Sequence, residues 1–183
     1  MSECDMVKSQ VINSSEIVFI LSCPGQKEQK NGRPASGKTG DNLEYLLSKL
    51  VSLGFFKNGT AKNNVTIINS SENVYSGKDN SEPKSDEVLE DGNINRIIKQ
   101  LSGVESIKYI FCCGDVASLL LSMLFFKYHK SDVKIYRIKH LSARGIMHYK
   151  KNVVMTTTER LDELAKDINK MKTSSNIIIH LNT

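Results

Sequence analysis

The segment VKIYRIKHLSARG, residues 133–145, places His140, Ser142 and Arg144 just after an apolar strand pattern. An imidazole can donate a hydrogen bond in neutral or charged form near physiological pH. A serine hydroxyl and an arginine fork both suit phosphate oxygens. Asn69 ends a second apolar run, NVTIIN (64–69). Its amide fork can read a planar base edge, although an Asn at a strand end can also simply open a turn. Ser22, Cys23, Pro24 and Gly25 follow a third apolar run, IVFIL. Residues 32–39, GRPASGKT, fit the phosphate-loop pattern, in which amides cradle phosphates, Lys38 reaches the outer phosphate and Thr39 holds magnesium. That chemistry needs a strand directly before the first glycine and a helix directly after the Lys-Thr pair. Here polar residues separate Ile20 from Gly32, and Gly40-Asp41 reads as a helix cap.

These groups must be carried by alternating strands and helices. IVFIL is apolar throughout, as a strand covered on both faces of a parallel sheet requires. The spacing predicts helices over 41–53, capped by Asp41 or Thr39, and over 92–103, 116–128 and 160–171. Strands are expected at 16–21, 65–68, 109–113, 134–138, 153–157 and 177–181. Residues 70–86 read as a long surface loop, and 1–14 as a flexible terminus, frayed or a short helix. The expected fold class is α/β: a three-layer αβα sandwich on a mainly parallel four-stranded sheet, with extra C-terminal elements. One domain is expected over 15–183.

Residues 21–47, LSCPGQKEQKNGRPASGKTGDNLEYLL, resemble the first motif of the uracil-DNA glycosylase superfamily, in the form of its iron–sulfur branch. That form runs from a strand through G-E-x-P-G, E and G-x-P-x-x-G-x-x-G into a leucine-rich helix. Pro24, Gly25, Glu28, Gly32, Pro34, Gly37, Gly40, Leu43, Leu46 and Leu47 fall on its spacing. NVTIIN is similar to the family strand whose terminal Asn hydrogen-bonds the flipped base. IKYIFCCGDVASLLL (107–121) resembles the strand–Gly–x–x–Ala–helix unit, and His140-Leu141-Ser142 the His-Pro-Ser of the second motif. The resemblance spans residues 15–150.

What the resemblance implies is base excision, with the target nucleotide extruded into a pocket. His140 would donate to the departing base, and Ser22 stands where the family has its acid. Asn69, Cys23, Pro24 and Gly25 would contact the base. Ser142, Arg144, Gly37 and Lys38 would contact the DNA backbone or fill the gap it leaves. Ala35 lies near the family's stacking aromatic, so a ring would come from Tyr75 or Phe55. Glu28 orders the loop or acts as a surrogate acid. No metal or organic cofactor is implied, and the spaced cluster cysteines of that branch are absent. A DNA-binding member without hydrolysis and a nucleotide hydrolase using Lys38 and Thr39 stand as the other two readings.

The 183 residues carry 25 Lys+Arg against 20 Asp+Glu, net +5, which permits a polyanionic partner. Lys27, Lys30, Arg33 and Lys38 crowd the first loop; Lys134, Arg137, Lys139, Arg144, His148, Lys150 and Lys151 crowd the second motif. Cys112 and Cys113, adjacent in a strand, should point to opposite faces as buried apolar residues. No run approaches a membrane span and the start lacks a signal peptide's pattern, so a cytoplasmic monomer acting on DNA is expected.

Overall fold

IVFIL becomes the centre of the molecule, with all five residues buried. The computed structural model describes residues 9–75, 82–129, 131–173 and 178–180. The strands among them are β1 (Ser9–Gln10), β2 (Ile17–Leu21), β3 (Thr66–Asn69), β4 (Tyr109–Cys113), β5 (Lys134–Ile138) and β6 (Ile178–His180). The helices are α1 (Gln26–Asn31), α2 (Lys38–Ser52), α3 (Ser85–Val88), α4 (Asp91–Ser102), α5 (Asp115–Ser118), α6 (Leu121–Tyr128), α7 (Ala143–Met147) and α8 (Thr157–Lys170). The strands form one sheet in the order β1-β3-β2-β4-β5-β6. Only the β1–β3 pair is antiparallel.

Helices cover both faces, as a parallel sheet needs. Phe19, Phe111 and Tyr136 stand in register across β2, β4 and β5, their rings stacked 4.8 and 4.9 Å apart. This face packs on Leu43, Leu46 and Leu50 of α2 and Leu161, Leu164 and Ile168 of α8. The opposite face sets Val18, Ile20, Ile110 and Ile135 against Ile97 and Leu101 of α4 and Leu124 of α6. Cys112 and Cys113 are divided between the two cores, as the strand period requires.

Several expectations change. From Ser9 onward the start is neither frayed nor helical, because Ser9–Gln10 adds the antiparallel edge. Residues 1–8 lie outside the described residues, as do 76–81 of the expected 70–86 loop. Helix α2 begins at Lys38 with Gly37 as its cap, not at Asp41. The expected 116–128 helix is two pieces. The Ser118 hydroxyl takes the Gly114 carbonyl at 2.7 Å, and Leu119 and Leu120 close tight three-residue turns. The expected 153–157 strand is a turn leading into the Thr156–Glu159 capping box of α8.

That turn has an identifiable holder. The Arg160 guanidinium, 7% exposed, donates to the carbonyls of Tyr149, Lys150 and Val153. Tyr149 in turn donates to Asp167 at 2.6 Å, tying the end of α7 to α8. Arg160→Met removes every one of these donors from carbonyls that are buried or partly buried. The expected cost is about 2–4 kcal/mol, since such bonds to a charged group carry ~1.5–3 kcal/mol each and do not add fully. Urea unfolding measures this, and a midpoint equal to wild type would refute the clamp.

Candidate active site

A cavity of about 780 Å³ opens at the carboxyl ends of β2, β4 and β5. Ligands of open α/β sheets bind at such strand ends. Its wall takes Ser22, Cys23, Pro24 and Gly25 after β2, Gly114 and Asp115 after β4, and His140, Ser142, Arg144 and Gly145 after β5. Glu28 of α1, Thr39 of α2, and Tyr75 and Glu82 from the segment before α3 close it.

His140 is fixed on every side. Its Nδ1 accepts the Ser142 backbone N–H at 3.0 Å, which leaves the ring's single proton on Nε2. Nε2 lies 3.1 Å from Ser22 Oγ and donates to it. Burial pushes the imidazole's pKa down, in keeping with this neutral form. His140 is seated between two glycines that have no room for a side chain, Gly114 against its ring and Gly145 against its backbone and Cβ. A Cβ on Gly114 would sit 2.9 Å from His140 Cβ, and one on Gly145 would sit 2.2 Å from the His140 carbonyl oxygen. The following turn is held by Asn42, whose amide donates to the Leu141 carbonyl at 2.7 Å. Ser142 caps α7 by accepting the Gly145 N–H at 3.0 Å, and its own hydroxyl proton is still available to a ligand.

The chemistry on offer is therefore donation. With its proton on Nε2, His140 cannot take the Ser22 proton, so Ser22 is not an activated nucleophile. Burial raises the Cys23 thiol to about 11, so it is not a thiolate near neutrality. Glu28 Oε2 accepts the Gly25 N–H at 3.0 Å and orders the start of α1, one of the two roles left open for it by the sequence.

The candidate residues divide. Ser22, Cys23, Pro24, Gly25, His140, Ser142 and Arg144 share the cavity. Gly37 and Lys38 line a neighbouring groove that meets it at Glu28, Thr39 and Tyr75. Asn69 is not on the cavity wall. It is 1% exposed at the end of β3, beside Leu21, so the structure does not bring it together with the other candidates on the wall. Ala35 and Phe55 also belong to the core, Phe55 against Tyr109 at the opposite end of β4. The phosphate-loop geometry is absent, because α1 separates β2 from Gly32 and Gly32 ends that helix in a left-handed turn. Lys38 extends to Asp41 at 4.0 Å.

The basic clusters divide as well. Arg137, Lys139, Arg144 and His148 reach the cavity, Arg137 paired with Asp115 at 2.9 Å. Lys150 is bound to Glu163 and Asp167 at 2.9 and 3.1 Å, and Lys134 stands at the far end of β5, donating to the Lys172 carbonyl at 3.0 Å. Sequence reasoning missed Glu82 and Asp115 on the wall, for which no motif gave a signal. It also missed Gly145 as the seat of His140, although a glycine three residues after a Ser cap is a readable hint. No group of three or more His, Cys, Asp or Glu among the described residues could hold a metal ion, and none of their helices is long and apolar enough to cross a membrane.

The neutral His140 sets a sign for pH. An unfolded imidazole titrates near 6.5 and the buried one lower, so the unfolded chain binds the extra proton first. Stability from this site is present above pH 6.5 and declines as pH falls below it. Ring NMR of His140 should show its midpoint below 6.5, and His140→Gln should flatten the loss of thermal midpoint between about pH 6.5 and 5. A ring midpoint at or above 6.5 would overturn the neutral assignment.

Comparison with models of known protein families finds none that matches this chain, and comparison with curated proteins finds no match either.

Proposed function

We propose that the cavity binds an extruded nucleobase and that the chain hydrolyses the N-glycosidic bond of a uracil-like or modified base in DNA, in the manner of the uracil-DNA glycosylases. The observation that carries this reading is the neutral His140, buried and held so that Nε2–H faces the cavity wall at Ser22. As the glycosidic bond lengthens, electron density moves onto the base and its carbonyl oxygen becomes anionic. A fixed donor beside that oxygen stabilises the transition state more than the ground state. The ligand oxygen takes the place of Ser22 Oγ as acceptor, and the serine turns aside. Attack at the sugar needs an oriented water. Glu28 brings the first loop's only carboxylate to the cavity, and Oε1 is the oxygen not used in the Gly25 cap. The basic side chains Arg137, Lys139 and Arg144 offer contacts for the phosphates on either side of the flipped nucleotide.

One feature favours a second reading, a DNA-binding member of the same fold without hydrolysis. Ser22 cannot supply the charge of the acid that the resemblance puts at its position, and Asn69 is withdrawn from the wall.

One experiment separates the two. Oligonucleotides carrying uracil, hypoxanthine, xanthine or hydroxymethylated bases, single- and double-stranded, are incubated with the protein and scored for alkali-labile breaks. Cleavage of one of them, reduced about 10²–10³-fold by His140→Ala, is the expected result, that being the loss typical of a removed transition-state donor. Salt-dependent retention of DNA with no abasic product would establish the second reading. Neither cleavage nor retention would end both.

A further inference from the structure

We propose that Asn42 is a positioning residue that sets which nitrogen of His140 carries the proton, acting through the one peptide group between Leu141 and Ser142. The carbonyl of that peptide accepts the Asn42 side-chain amide at 2.7 Å, and its N–H donates to His140 Nδ1 at 3.0 Å. The peptide is planar and trans, so its C=O and N–H point to opposite sides. One flat unit is therefore pinned at both edges, by α2 on one side and by the imidazole on the other. The effect on the ring follows from this geometry, and its consequence for catalysis rests on the reading of His140 as donor to a departing base.

The helix itself gives no reason for an amide at this position. Leu43, Leu46, Leu47 and Leu50 make the buried face of α2 apolar, and Asn42, 3% exposed, is the only polar side chain among the buried residues of that helix. A buried amide costs free energy unless it finds a partner. The partner lies 99 residues away, on the turn that follows β5.

Removing the amide leaves the carbonyl of the fully buried Leu141 without this donor. The peptide then gains by turning its oxygen toward the ring, where a proton on Nδ1 satisfies it. Such a proton exists in the opposite tautomer and in the imidazolium, but not in the Nε2–H form. With Asn42 in place the carbonyl is occupied and the N–H stays on Nδ1, which disfavours both of those forms. The amide also polarises the peptide it touches and so strengthens the Ser142 N–H as a donor. Asn42 and the burial of the ring act in the same direction.

The test reads the ring and needs no ligand. Nitrogen-15 NMR assigns the tautomer and titration midpoint of His140 in wild type, in Asn42→Leu, which removes the donor at similar volume, and in the smaller Asn42→Ala. Wild type should carry its proton on Nε2. Both variants should populate the Nδ1–H form, and their midpoints should rise by about 0.5–1 in pH, the equivalent of the ~0.7–1.4 kcal/mol of one net hydrogen bond. The ionisable groups that share the cavity with the ring are Glu28, Glu82, Asp115, Arg137, Lys139 and Arg144, with Cys23, Tyr75 and His148. All are retained and each replacement is neutral for neutral, so altered charge cannot produce the shift. A residue that merely packs would lower the thermal midpoint and leave the ring's proton where it is. Where a base is cleaved, Asn42→Leu should lower kcat about 10- to 100-fold with KM within about twofold, and add less than about twofold to His140→Ala. An unchanged tautomer and midpoint in a folded variant, an equal loss of kcat with and without His140, or loss of fold in both variants overturns the proposal. A shifted ring in a protein that cleaves nothing upholds it while ending the hydrolase reading.

Discussion

The direction of one hydrogen bond governs this site. Because the Ser142 backbone N–H donates to His140 Nδ1, the imidazole carries its only proton on Nε2 and faces the cavity as a donor. Much of the surrounding chain serves to keep that bond in place. Ser142 is the cap of α7, the Leu141 carbonyl is held by Asn42 from α2, and the end of α7 is tied to α8 through Arg160 and the Tyr149–Asp167 contact. Gly114 and Gly145 admit the ring by having no side chains. Three of these contacts come from helices on one face of the sheet, so the tautomer of a single ring is a tertiary property and not a local one.

Burial then decides which groups remain reactive. It holds Cys23 as a thiol and His140 as a neutral base, and it leaves Ser22 without a partner able to deprotonate it. A site of this kind suits reactions whose leaving group accumulates negative charge on an oxygen, since a preorganised donor helps only where charge develops. It does not suit acyl transfer, which would require an activated serine or thiolate. The wall carries both signs of charge, with Arg137, Lys139 and Arg144 on the β5–α7 side, Arg137 paired with Asp115, and with Glu28 from α1 and Glu82 from the segment before α3.

The fold was legible where burial dictates composition. The β2 pattern IVFIL and the division of Cys112 from Cys113 follow directly from strands covered on both faces. His140 was singled out by the resemblance of His140-Leu141-Ser142 to a family motif, and the structure sets it on the cavity wall at a strand end, where α/β folds place ligands. Helix α1 was not, since QKEQKN has no apolar face and its only marker is Glu28 reaching back to Gly25. Asn69 misled because an amide at a strand end looks the same in sequence whether it faces a cavity or the sheet interior. Its near-complete burial, a three-dimensional fact, keeps it off the wall although its neighbour Leu21 reaches it. The Asn42–Leu141 contact joins residues 99 apart in sequence, so no pattern could announce it.

Ser22 is best understood together with the neutral imidazole it touches. A carboxylate in its place would lie within hydrogen-bond distance of Nε2, and a neighbouring negative charge raises an imidazole's pKa. Protonating His140 by that route would still leave Nδ1 bound to the Ser142 N–H, and a doubly protonated ring has no lone pair for that bond. The turn that caps α7 would lose its acceptor. A serine avoids this conflict, since it accepts the Nε2 proton without adding charge. Glu28, held at the start of α1 by the Gly25 amide, brings its carboxylate to the same cavity from a separate element. A serine at this position is thus compatible with a neutral His140, while the Glu28 carboxylate stands on a separate element.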